Sequence, residues 1–202
     1  LHGSMWEKTT LADDEIVSRG NKDQTPTAEL YKALAPGFVE RYADKLTSME
    51  KTAISDLGIS IHRYLESKDS PKTLIHIDYR LDNMMFGGRY QLAVVDWQSC
   101  AFGCPLNDVS YFMGTSLEPE IRLERETELL EHYFKILQEY EVSIDWPTIN
   151  SLYCHYAPAG LVMAVIASMI VGETQRGNKM FLAMAKRSAQ MMLELDSLKM
   201  IS

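Results

Sequence analysis

From Trp146 to Gly172 the chain carries no Asp, Glu, Lys or Arg. A stretch of that length without a charge must leave water, either across a bilayer or inside a protein core. A membrane span needs roughly 20 predominantly apolar residues. Here Asn150, His155 and Pro158 interrupt the stretch, so only Ala159–Val171 is continuously apolar. That run predicts a helix buried on most sides in a helical core, and no membrane span. The remaining sequence has the means to cover it. With 202 residues, 46% hydrophobic and 24% charged, the chain has ordinary globular composition and the length of one domain around a single core.

Twenty-eight acidic residues against 20 basic ones give a formal net charge of −8. Such a balance argues against non-specific binding to nucleic acid or to an anionic membrane, because both require a cationic face. Cys100, Cys104 and Cys154 form an odd set in a sequence with no signal peptide, and no Cys/His pair at zinc spacing accompanies them. A reducing, cytoplasmic setting is expected.

Helical signals dominate the rest. Residues 7–27 read as surface loop with one helical turn at most. Helices are expected over Thr27–Leu34 and Gly37–Leu46, separated at Pro36, which lacks the N–H an uninterrupted helix needs. Thr47-Ser48-Met49-Glu50 offers a capping box opening a helix to about Ser67, with Ile54, Leu57, Ile61 and Leu65 at helical spacing. A turn follows over Lys68–Lys72, then a short β-rich run at Thr73–Ile75. Further β-type runs, Met84–Phe86 and Gln91–Val95, flank Gly87-Gly88 and predict a hairpin. After Leu106 the pattern is helical over about 107–117, 119–140, 146–172 and 178–196. The architecture is therefore α+β, mostly α, with a small central β-hairpin.

Polar residues gather at both ends of that hairpin. His76-Ile77-Asp78-Tyr79-Arg80-Leu81-Asp82-Asn83 precedes the first strand, and Asp96-Trp97-Gln98 follows the second. Pairing of the strands brings Asn83 and Asp96 near each other, offering an amide oxygen and a carboxylate to a hard cation such as Mg²⁺. Asp78 lies in the same loop, where a carboxylate can accept or orient a hydroxyl proton beside metal-bound phosphates. Other candidates have simpler readings. His62, His132 and His155 sit on predicted helices, the methionines of 163–192 recur on helical faces as core filler, and Glu118–Glu131 reads as a solvated face.

The string His76-x-Asp78-x-x-x-x-Asn83, with Asp96 following Asp78 by 18 residues, resembles the kinase catalytic-loop and metal-loop signature. Asp96-Trp97-Gln98 with Gly103, Pro105 and Asp108 resembles aminoglycoside phosphotransferases and choline-kinase-like enzymes. Leu1-His2-Gly3 with Trp6 is similar to the Leu-His-Ala element that opens their larger lobe. The full string 76–83 with Asp96-Trp97-Gln98 looks closest to the ecdysteroid-kinase-like (CHK kinase-like) branch. The resemblance implies the larger lobe of a protein-kinase-like fold over residues 1–202. It also implies Asp78 as catalytic base, Arg80 as a phosphate contact, and Asn83 and Asp96 as Mg²⁺ ligands. Met85 and Val95 would floor the adenine of ATP, and His76 and Asp108 would brace the loop without reacting.

Two departures accompany the resemblance. Ile77 stands where the family usually has Gly. No Gly-rich loop, strand Lys or partner Glu helix precedes His76, so the ATP-covering small lobe is expected to lie outside this chain and the fragment alone to be inactive. Two functions follow as expectations. The first is an ATP-dependent small-molecule kinase that transfers phosphate to an alcohol of unidentified structure. The alternative is a non-catalytic, pseudokinase-like binding or scaffold module.

Overall fold

The computed structural model describes residues 1–11, 17, 25–66 and 70–201. The expected turn at Lys68-Asp69, the helix end at Ser67 and most of the polar stretch 12–24 lie outside the described residues. Among the described residues the chain forms eight α-helices and four short strands, with short 3₁₀ turns between some of them. Helix α1 is Thr25–Arg41, α2 Ser48–Leu65, α3 Pro105–Ser116, α4 Pro119–Glu139, α5 Trp146–Tyr156, α6 Ala159–Ile170, α7 Gln175–Glu194 and α8 Ser197–Ile201. The strands are β1 Thr73–Ile75, β2 Met84–Phe86, β3 Leu92–Val94 and β4 Ala101–Gly103.

Thr47 caps α2 as its sequence predicts. Its hydroxyl accepts from the Glu50 N–H at 3.2 Å, and the Glu50 carboxylate accepts from the Thr47 N–H at 2.7 Å. The expected break at Pro36 is absent: α1 runs through it. Tyr31, Ala35 and Phe38 are buried on one side of that helix, with Tyr42 just past its end, and their packing outweighs the one hydrogen bond that the proline omits. The helix ends at Arg41, before the expected Leu46.

The charge-free stretch is two helices. Expected as one over 146–172, it breaks at Ala157-Pro158 between α5 and α6, because Pro158 denies its N–H to the preceding turn. By length and hydropathy alone the stretch is apolar enough to cross a membrane, but 61% of its most apolar 18-residue window is buried inside the protein. Leu161, Ala164 and Val165 of α6 are fully buried in the core, which α1, α2, α3, α5 and α7 also supply. Helix α8 was not foreseen; its five residues are too few to show a period.

Strand pairing places the loops. The predicted hairpin forms, with Met84 opposite Val94 and Phe86 opposite Leu92, closed by residues 87–91 with Gly87 at φ +76°. A second ladder, β1 with β4, was only half legible: Thr73 pairs with Gly103 and Ile75 with Ala101. A Cβ on Gly103 would lie 2.7 Å from the Ile75 Cδ1, so the tip of that side chain would have to move aside. In chain order the β2–β3 pair is nested inside the β1–β4 pair. Segment 76–83 and segment 95–100 are thus each tethered at both ends, and the two run side by side.

Candidate active site

The segment after β1 is shaped by α3. Asp108, 2% exposed, accepts hydrogen bonds from the backbone N–H of His76 (Oδ2, 2.7 Å) and of Ile77 (Oδ1, 2.8 Å). His2 places Nε2 3.4 Å from the same Oδ2 and Nδ1 3.0 Å from the Tyr133 hydroxyl, and the His2 carbonyl accepts from Thr73. The N-terminal Leu-His-Gly element is thereby tied to β1 and α3. Pro105 stands in the first turn of α3, where its missing N–H costs nothing.

Ile77 has φ +73°. That left-handed conformation suits glycine and is strained for a β-branched residue, by about 1–2 kcal/mol. The conformation would suit the glycine that the resemblance leads one to expect here, and the Asp108 hydrogen bonds hold the backbone in it despite the side chain. Ile77→Gly is therefore expected to raise the unfolding temperature by about 2–4 °C, for a net gain of about 1 kcal/mol after the added chain entropy of glycine. A lower midpoint in thermal unfolding would contradict this.

Beyond Ile77 the side chains converge. Asp78 Oδ1 accepts from Arg80 Nε at 2.9 Å and from the Tyr111 hydroxyl at 2.6 Å. Asp78 Oδ2 accepts from Asn83 Nδ2 at 2.8 Å, and the same amide nitrogen reaches the Asp78 carbonyl at 2.8 Å. Arg80 also donates through one terminal nitrogen to Asp82 (3.0 Å) and lies against the Met180 sulfur (3.0 Å). Burial, with the negative charge of Asp78 beside it, pushes the Tyr111 phenol well above its ordinary pKa, so it remains a proton donor to the carboxylate.

Across the hairpin the Val95 N–H donates to the Asn83 carbonyl (2.9 Å), and His76 Nε2 donates to the Val95 carbonyl (2.8 Å). His76 is buried, its ring 4.6 Å from that of Trp97, and its Nδ1 has no hydrogen-bond partner among the described residues. Asp96 follows at φ +64°, a left-handed conformation that Asp tolerates. It is exposed, without a polar partner among the described residues. Met85 and Val95, 62% and 37% exposed, fall on one face of the hairpin by strand alternation.

The structure thus joins Asp78, Arg80 and Asn83 in one hydrogen-bonded network, with His76 and Asp108 bonded to its backbone. Asp96 is brought alongside by the hairpin rather than by direct contact. Among the described residues no group of three or more His, Cys, Asp and Glu side chains is arranged to hold a metal ion. A cation here would take a mixed set instead: the Asn83 amide oxygen, left over once its nitrogen serves Asp78, and the Asp96 carboxylate. Those are the hard donors Mg²⁺ accepts, with phosphate and water completing its shell. Beside Arg80 opens a cavity of about 190 Å³, lined in part by Asp82, Ser116, Met180, Met184 and Arg187.

Sequence reasoning missed Tyr111. Its one available signal was a position three residues after Asp108, on the same helical face. The other candidates kept their simpler readings. His62 pairs with Glu29 on the surface, His155 bonds the Tyr64 carbonyl and stacks on its ring, and Met184, Met191 and Met192 are core. The acidic run around α4 is paired in part: Glu126 pairs with buried Arg122, Glu118 with Arg187, and Glu124 and Glu128 with Arg125.

Acyl-CoA dehydrogenase family member 11 from Homo sapiens is 36% identical to the chain over 62 residues, covering 30% of this chain and 8% of that protein. The Rattus norvegicus counterpart is 34% identical over 61 residues, 29% of this chain and 8% of its own length. The match therefore spans less than a tenth of these relatives. No solved structure matches the chain. The sequence model of the ecdysteroid kinase-like family matches residues 8–145, and that stretch holds the Asp108-clamped loop, the nested hairpin and Asp96. By that match over more than half its length, the chain belongs to the ecdysteroid kinase-like family.

Proposed function

We propose that the protein containing this chain is an ATP-dependent phosphotransferase acting on a hydroxyl of a small molecule, and that residues 1–202 form the larger lobe of its kinase-like fold. Membership of a kinase-like family supports phosphotransfer in general. The observation that carries the specific reading is the division of labour at Asn83. Its amide nitrogen fixes the Asp78 carboxylate, and its amide oxygen remains for a cation shared with Asp96.

In this reading Asp78 orients the acceptor hydroxyl and takes its proton as transfer proceeds. Arg80, held by Asp78 and Asp82, keeps its second terminal nitrogen for an oxygen of the transferred phosphate. Asn83 and Asp96 would hold Mg²⁺, whose charge offsets that on the phosphate oxygens. Met85 and Val95 offer an exposed apolar floor for adenine. With its hydroxyl at Asp78, the acceptor would extend its remaining part toward the neighbouring cavity beside Arg80, lined in part by Met180 and Met184. Catalysis then rests on positioning and charge neutralisation rather than on a covalent intermediate.

Asp96→Ala in the full-length protein tests the metal assignment. It is expected to lower MgATP-dependent transfer to a panel of sterol, amino-alcohol and sugar acceptors by about 10²-fold or more, with the fold unchanged. Equal turnover by the two proteins would sink the assignment. Ile77 favours the second reading, a non-catalytic module of kinase ancestry, because a strained side chain stands in the loop. A thermal shift of the full-length protein with Mg²⁺ and ATP separates the two. A ligand that binds only the folded state stabilises it as ln(1 + [L]/Kd), and no shift favours the module.

A further inference from the structure

One face of α3 touches segment 76–81 almost residue by residue. Asp108 takes the N–H groups of His76 and Ile77, Tyr111 bonds the Asp78 carboxylate, the Phe112 ring packs 5.7 Å from Tyr79, and Ser116 accepts from the Leu81 N–H at 3.1 Å. Positions 108, 111, 112 and 116 share a helical face. Of these contacts, only that of Tyr111 falls on a side-chain atom that the phosphotransferase reading makes reactive.

The geometry points to Tyr111 as a positioning residue that decides which oxygen of Asp78 meets the acceptor hydroxyl. An ionised carboxylate oxygen has two in-plane lone-pair sites. On Oδ1 both are taken, by Arg80 Nε at 2.9 Å and the Tyr111 hydroxyl at 2.6 Å. On Oδ2 a single donor among the described residues, Asn83 Nδ2, takes one, which leaves the other for the acceptor. The acceptor hydroxyl therefore docks on Oδ2, on the side of Asn83. Tyr111 is 1% exposed and carries its hydroxyl on a rigid helix, so it fixes the carboxylate plane from behind and cannot itself reach substrate. Loss of this hydroxyl frees a site on Oδ1 and lets the carboxylate rotate between two ways of receiving the alcohol, only one of which faces the phosphate.

This inference rests on the assignment of Asp78 as base. The test uses the full-length protein and follows turnover of MgATP with water or the best panel acceptor. Tyr111→Phe keeps the ring and the packing and removes only the hydroxyl. It is expected to lower kcat at least tenfold while the KM for MgATP stays within twofold and the unfolding midpoint holds. Tyr153→Phe is the control. Tyr153 is an equally buried phenol that bonds a different carboxylate, Glu126, at 2.9 Å, and its loss is expected to leave kcat within twofold. Wild-type kcat in Tyr111→Phe, with Asp78→Asn inactive, would overturn the role of Tyr111 and leave the base assignment standing. Wild-type kcat in Asp78→Asn would overturn both. A fall in kcat matched by Tyr153→Phe would reduce Tyr111 to general packing and overturn the inference.

Discussion

Asp78→Asn in the full-length protein is expected to lower kcat by about 10²–10⁴-fold, the usual contribution of a positioned base. The substitution is nearly isosteric, which makes it informative. Its amide oxygen can keep the two donors on the Oδ1 side, Arg80 and Tyr111. Its amide nitrogen must then face Asn83 Nδ2, which stands 2.8 Å from Oδ2, donor against donor. Asn83 can relieve the conflict only by turning its own amide, which would present nitrogen rather than oxygen to the cation. The variant should therefore lose the proton acceptor and also need more Mg²⁺ for what activity remains. Transfer rates measured across a Mg²⁺ titration, with circular dichroism to verify the fold, check both parts. Undiminished turnover would remove Asp78 from the chemistry.

Asp108→Ala is expected to give the largest loss of stability. The carboxylate is buried and accepts from two backbone N–H groups, which Ala would leave without partners at a cost of about 1–3 kcal/mol each. The total of about 3–5 kcal/mol corresponds to a fall of about 10 °C in the unfolding midpoint for a domain of this size. Hydrogen exchange should report it locally, because the His76 and Ile77 amides lose their acceptor. Without that acceptor, nothing on α3 offsets the strain of φ +73° at Ile77, and the loop should relax out of its left-handed turn. An unchanged midpoint together with unchanged protection of these amides would show that the loop is held by something else.

Features encoded within a few residues were legible in the sequence. The Thr47–Glu50 capping box and the hairpin around Gly87-Gly88 form as their local chemistry dictates. The gathering of Asp78, Arg80 and Asn83 was legible for the same reason, since these side chains lie within six positions of one loop. Features set by distant partners were not. Ala101-Phe102-Gly103 has no period to read, and it is a strand only because β1 lies beside it. Pro36 obeys burial rather than its own propensity, whereas Pro158, already visible as an interruption of the apolar stretch, does divide it into two helices. Tyr111 reaches Asp78 across 33 residues, beyond any spacing rule. The left-handed turn at Ile77 was hidden by its side chain, since a β-branched residue gives no sign of a positive φ.

The way α3 meets the loop also limits how this protein can change in length. A helix turns about 100° per residue. One residue inserted or deleted between Asp108 and Ser116 would swing every later contact off the loop while leaving the helix itself sound. The turns at 87–91 and after α4 carry no such constraint and can grow or shrink without touching Asp78. Variation in length should therefore collect at the hairpin tip and the outer connections, while the stretch from Asp108 to Ser116 keeps a fixed residue count.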